Sequence, residues 1–131
     1  MFESVLSFLD RHQSFILTTH DYLDADGLGS ELVLASVLKK AEKEFKIINP
    51  SNIPATLEFL VTNSIIEKYD KEKHSPFFDK AAILILDNSN DNYLGSIKNA
   101  MKHCLVACHW SIPTESLRRT IRKNGYGNAA I

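Results

Sequence analysis

Six consecutive apolar residues, Ala81-Ala82-Ile83-Leu84-Ile85-Leu86, stop at Asp87. A strand with one wet face alternates apolar and polar side chains. A strand that is apolar at every position is covered on both faces, as in a parallel sheet held between two helical layers. The rest of the chain must then supply helices for both faces, and its periodicity does so. Phe15-Ile16-Leu17-Thr18-Thr19 reads as a β-branched and aromatic strand, Phe45 to Asn49 as another stopped by Pro50, and Cys104 to Cys108 as a further buried strand. Residues 3–12 read as a short amphipathic helix with Val5, Leu6, Phe8 and Leu9 on one side. A second helix opens at Gly27 and runs to about Lys43. Its expected stripe is Leu28, Leu32, Ala35, Val37 and Leu38, and Lys39, Lys40 and Lys43 favour its C-terminal end. Pro54 suits the first position of a helix over 55–61, and residues 91–101 read as helix. Residues 67–79, with mixed charges and Pro76, read as loop with a weak helical signal. The alternation predicts an α/β fold: a three-layer sandwich with a mostly parallel sheet flanked by helices.

A chain of 131 residues fits one such domain. Hydrophobic residues at 44% and charged residues at 24% exclude disorder over the whole length. The net charge of −1 gives no overall pull towards nucleic acid or an anionic membrane. Residues 111–131 carry a net +3 and residues 1–110 a net −4. The expected division is a domain over 1–110 and a divergent basic tail over 111–131 that is not a domain. Within that tail, Pro113–Lys123 is expected to be a solvated amphipathic helix rather than a nucleic-acid contact. Cys104 and Cys108, in a C-x3-C spacing without a second pair, read as small core residues rather than zinc ligands. The N-terminus lacks the features of a signal peptide, and no apolar run is long enough to span a bilayer. A reducing cytoplasm is the expected setting.

In open parallel sheets, ligands bind beyond the carboxyl ends of the strands. Two predicted strands end in candidate ligands: Thr18-Thr19-His20-Asp21-Tyr22-Leu23-Asp24-Ala25-Asp26-Gly27 and Asp87-Asn88-Ser89-Asn90-Asp91. Three carboxylates gathered at one sheet edge repel one another unless a cation neutralises them. An imidazole with carboxylates and no thiolate suits Mn²⁺ or Mg²⁺, with Zn²⁺ or Fe²⁺ also admissible. The candidate metal ligands are therefore His20, Asp24, Asp26 and Asp87, with His109, after another strand, as a further candidate. Two ions roughly 3.5–4 Å apart suit phosphate ester hydrolysis, and Gly29 and Ser30 at the helix start are candidate phosphate contacts. Each residue also has a plainer reading. Acid clusters are often solvated turns, Asp-Gly is a common turn pair, and an acid before a helix is usually a cap. The Asp-x-Asp-Gly stretch lacks the closing Glu of an EF-hand calcium loop. Without G-x-G-x-x-G after the first strand, dinucleotide binding is weakly supported. His12, His74 and His103 have no evident partners and are expected at the surface.

The stretch Phe15 to His20 followed by Asp24-Ala25-Asp26-Gly27-Leu28-Gly29-Ser30 resembles the first motif of the DHH (DDH domain) phosphoesterase superfamily. That superfamily includes RecJ-type exonucleases, nanoRNase/pAp phosphatases, cyclic-dinucleotide phosphodiesterases and exopolyphosphatases. Ile83-Leu84-Ile85-Leu86-Asp87-Asn88-Ser89 with Leu94-Gly95 resembles its second motif. The resemblance covers roughly residues 14–107. It implies that His20 and Asp24 hold one Mn²⁺, that Asp26 holds a second, and that Asp87, the expected catalytic residue, bridges both. It implies hydrolysis by metal-activated water, with a phosphoester such as a short oligonucleotide, cyclic dinucleotide or nucleotide as partner, no membrane, and room for a homodimer. The sequence departs from the family where Asp-His-His is expected: Cys108-His109-Trp110 stands there, and no later Asp matches the fourth motif. A chain altered or cut after its second motif would be an impaired hydrolase; the alternative is a non-catalytic remnant that binds metal or nucleotide.

Overall fold

The computed structural model describes residues 2–61, 66–88, 90–103, 106–110, 119–123 and 127–129, with side chains over 6–61, 66–88, 90 and 92–102. Helix α1 (Phe2–Arg11) leads into strand β1 (Ser14–Thr18), then helix α2 (Ala25–Lys40) and strand β2 (Glu44–Asn49). A 3₁₀ segment (Ala55–Val61) precedes strand β3 (Ile66–Lys68), helix α3 (Lys71–Phe78) and strand β4 (Ala82–Leu86). A 3₁₀ turn (Asp91–Leu94), helix α4 (Ile97–Ala100) and strand β5 (Val106–Trp110) follow, and strands β6 (Arg119–Lys123) and β7 (Gly127–Ala129) close the series.

The sheet order is β3-β2-β1-β4-β5-β6-β7. The first five strands are mutually parallel, while β6 and β7 pair antiparallel. The fold is the expected three-layer α/β sandwich. Period-two alternation divides the core: Phe15, Leu17, Ala82, Leu84 and Leu86 face one way, against Phe8 and Leu9 of α1 and Leu34, Ala35 and Leu38 of α2. Ile16, Ile48, Ile83 and Ile85 face the other way, against Phe77 and Phe78 of α3 and Ile97 and Ala100 of α4. Strand β4 is buried at all five positions because helices cover both its faces.

Several local expectations are corrected. Residues 67–79 are not loop. The end of β3 and all of α3 lie there, and Asp70 caps α3 by accepting from the N–H groups of Glu72 and Lys73 at 2.9 and 3.1 Å. His74 is buried, not at the surface. Its Nδ1 accepts from the Asp70 N–H at 2.9 Å, so Nε2 carries the proton offered to Glu67 at 3.1 Å. His12 is half-buried, its Nδ1 within 2.9 Å of the Phe8 carbonyl and its ring 4.7 Å from that of Phe8. Val37 is exposed, and Leu34 takes the core place expected of it. The 91–101 helix is interrupted at Gly95, whose φ of 52° ends the 3₁₀ turn. Where a helix was expected over Pro113–Lys123, residues Arg119–Lys123 form β6, because Thr120 and Ile121 are β-branched and the edge of β5 offers a ladder. The side chains of His103, Cys104, Cys108 and His109 lie outside the described residues. Among the described residues, no helix is long and apolar enough to cross a membrane.

Candidate metal centre

The strand order reverses between β1 and β4. From their carboxyl ends the chain leaves β1 for α2, packed on one face, and leaves β4 for α4, packed on the other. Divergent exits leave a crevice at that point, the position where open α/β sheets bind ligands. The two candidate segments lie there: His20 to Asp26 follow β1 and Asp87 follows β4.

The loops are knitted together. The Asp21 N–H donates to the Tyr93 carbonyl at 2.6 Å, and the Ser51 hydroxyl donates to the Asp21 carbonyl. Gly95 is required at its position: a Cβ there, at positive φ, would lie 3.0 Å from Pro50 and 3.3 Å from the Asp21 carboxyl. Gly27 is required for closeness, since a Cβ would come within 2.6 Å of the Thr19 hydroxyl. These contacts draw the ends of β1, β2 and β4 and the start of α2 into one rim.

On that rim, His20, Asp24 and Asp87 each present a ligand atom, and these atoms all lie within 4.8 Å of one another. His20 Nε2 is 3.5 Å from Asp24 Oδ2 and 3.9 Å from Asp87 Oδ2. Asp24 works with both oxygens: Oδ1 caps α2 by accepting from the Gly27 N–H at 2.8 Å, which turns Oδ2 towards the imidazole. Asp87 adopts φ of 50°, a left-handed conformation that is uncommon for a non-glycine residue and is found at functional sites. Its carboxyl is pushed above the usual range, chiefly by burial and then by the charge of Asp24, with His20 opposing and Asp26 adding to the rise. One imidazole and two carboxylates at this spacing could hold a divalent ion, and their chemistry fits the hard cations expected for nitrogen and oxygen donors.

Asp26 lies outside this group of three. It is exposed in the first turn of α2 and reaches Asp87 through its charge. Gly29 faces open space, and the Ser30 hydroxyl is engaged with the Asp26 carbonyl at 2.8 Å. Asp26, Gly29, Ser30 and Leu86 help line a cavity of about 390 Å³ beside the cluster. His109 pairs with Ile85 in β5, one residue before Trp110 ends the strand, and its side chain lies outside the described residues.

Sequence reasoning passed over a buried set beneath the cluster. Thr18, Thr19, Glu31 and Asn49 are all fully buried. Asn49 Oδ1 accepts from the Thr19 N–H at 3.0 Å and from the Thr18 hydroxyl at 3.4 Å, and Asn49 Nδ2 donates to Glu31 Oε2 at 3.0 Å. One signal was available: Glu31 sits at helical spacing with Leu28, Leu34, Ala35 and Leu38, on the face that a core-packed helix keeps apolar.

The fold and the cluster together define an α/β protein with a His/Asp group, suited to a divalent ion, at the switch point of its sheet. No family model matches the sequence, and neither does any curated protein. Among solved structures, the chain is similar to an exopolyphosphatase-related protein from Bacteroides fragilis, with a TM-score of 0.74 at 20% identity over 84% of this chain. The match spans 33% of that protein's length, so it establishes likeness of fold over a third of a longer chain.

Proposed function

We propose that this chain is the metal-binding part of a DHH-type phosphoesterase that hydrolyses a phosphoester with Mn²⁺ as its ion. The observation that carries this reading is the convergence of His20, Asp24 and Asp87 on one point. The two sequence stretches that resemble the first and second DHH motifs meet there, on a fold similar to that of an exopolyphosphatase-related protein.

In this reading His20, Asp24 and Asp87 would hold one ion, and Asp26 with Asp87 would serve a second. A bound divalent ion supplies Lewis acidity, which offsets carboxylate and phosphoryl charge and makes water a better nucleophile near neutral pH. The residues of the chain set the geometry. Asp24 is fixed by its cap to Gly27, and Asp87 by its backbone. The N-terminus of the 16-residue helix α2, with Gly29 open beside it, offers N–H groups and a positive dipole end to a phosphoryl oxygen. A short oligonucleotide, or 3′-phosphoadenosine 5′-phosphate, incubated with the chain and Mn²⁺ is expected to be hydrolysed, and Asp87→Ala is expected to abolish turnover. Absence of turnover with every phosphoester tried counts against catalysis.

One observation favours a second reading, a non-catalytic metal-binding remnant: among the described residues, the ligand group contains three side chains, enough for one ion. Metal binding without hydrolysis would select it.

A further inference from the structure

We propose that Thr19, Asn49 and Glu31 are positioning residues that hold the His20–Asp24–Asp87 cluster in register for its ion. The inference rests on the metal-site reading above and extends it to residues that touch no ligand.

Thr19 ties the loop that carries His20 and Asp24 to the ends of β2 and β4 and to the start of α2. Its N–H is held by Asn49 at the end of β2, and its hydroxyl donates to the Leu86 carbonyl at the end of β4 at 2.9 Å. Its side chain lies flush against Gly27 at the start of α2. Thr19 itself precedes His20, and two of its ties end beside the cluster: Leu86 precedes Asp87, and Gly27 follows Asp26 and receives the cap of Asp24. Asn49 is oriented in turn by Glu31. Groups hydrogen-bonded directly to a metal ligand change metal affinity by about 10- to 100-fold when removed, and ties one residue away from the ligands are expected at the lower end of that range.

Glu31 is a costly residue to keep for packing alone. It is fully buried, and its Oε1 has no hydrogen-bond partner among the described residues. Burial pushes its carboxyl up to about 8, with the Asn49 bond opposing. At neutral pH it is therefore an uncharged acid that orients Asn49 without adding another negative charge near the cluster.

The test separates positioning from stability. Mn²⁺ affinity is measured by calorimetry on the full chain, with melting followed in chelator. Glu31→Leu removes the buried acid and its hold on Asn49. It is expected to raise the melting temperature of the metal-free chain while weakening Mn²⁺ binding about tenfold, and Glu31→Gln is expected to restore binding. A merely structural residue would not move the two readouts in opposite directions. Thr19→Val is expected to weaken Mn²⁺ binding and Thr19→Ser to recover most of it. Wild-type affinity in Glu31→Leu and Thr19→Val would overturn the proposal. A wild-type chain that binds no Mn²⁺ would instead remove the metal-site reading, and the proposal with it.

Discussion

Individual residues at this site carry more than one duty, and their energies conflict. Asp24 is both a helix cap and a cluster member. Asp87 combines a left-handed backbone with a carboxyl that burial and Asp24 drive towards protonation. Glu31 shows the conflict most clearly. Its carboxyl is raised from 4.5 to about 8 in the folded chain, so the folded state retains a proton that the unfolded state releases. The contribution of Glu31 to stability is therefore fully present below about pH 4.5 and is lost as the pH rises through about 8. At pH 7 the loss amounts to roughly 3 kcal/mol. Glu31→Gln, which keeps the shape and never ionises, is expected to be more stable than the wild type by a margin that grows from about pH 5 to pH 8. Denaturant titrations across that range measure it, and a margin independent of pH would refute the account.

At the level of elements, α2 is fixed at one end by a side chain and at the other by backbone bonds. Its N-terminus is capped by Asp24, while its C-terminus closes in a left-handed turn. The Glu42 N–H bonds the Lys39 carbonyl at 3.1 Å and the Lys43 N–H bonds the Leu38 carbonyl at 3.0 Å, with Glu42 at φ of 56°. Glycine favours that position, and a side chain there costs about 1–2 kcal/mol. Glu42→Gly is expected to raise the melting temperature without altering Mn²⁺ affinity, because the turn lies at the far end of the helix from Asp24. The short helix α3 gives only a weak signal in sequence because it is about two turns long, and Pro76 and charged residues break its apolar period. One cap, Asp70, and one buried face of His74, Phe77 and Phe78 define eight residues that carry a proline and mixed charges.

Across the whole molecule, stability and site are linked through the switch point. Without a cation, the carboxylates of Asp24 and Asp87 face each other across the crevice and repel. Mn²⁺ that binds only the folded chain is expected to stabilise it by roughly 2.7 kcal/mol at about a hundred times its Kd. Melting curves in Mn²⁺ and in chelator read this directly. Asp87→Ala is expected to remove the difference, and identical wild-type curves would show that the cluster holds no ion.

The sequence by itself determined the layered α/β class, the central buried strand and the two segments that bear candidate ligands. Those signals are local: an apolar run, a period of two or 3.6, and an acid at a strand end. It also placed His20, Asp24 and Asp87 on one sheet edge, because parallel strands end on the same side. Only the tertiary structure decided that these three share one point while Asp26 stands outside it. Only the structure, too, revealed that Asn49 and Glu31 lie beneath them. Asn49 lies 18 residues from Glu31 and 30 from Thr19, and no pattern within a single element records a hydrogen bond across that distance. Burial of a polar side chain depends on what other elements bring over it, so His74 looks like a surface residue until the layers close.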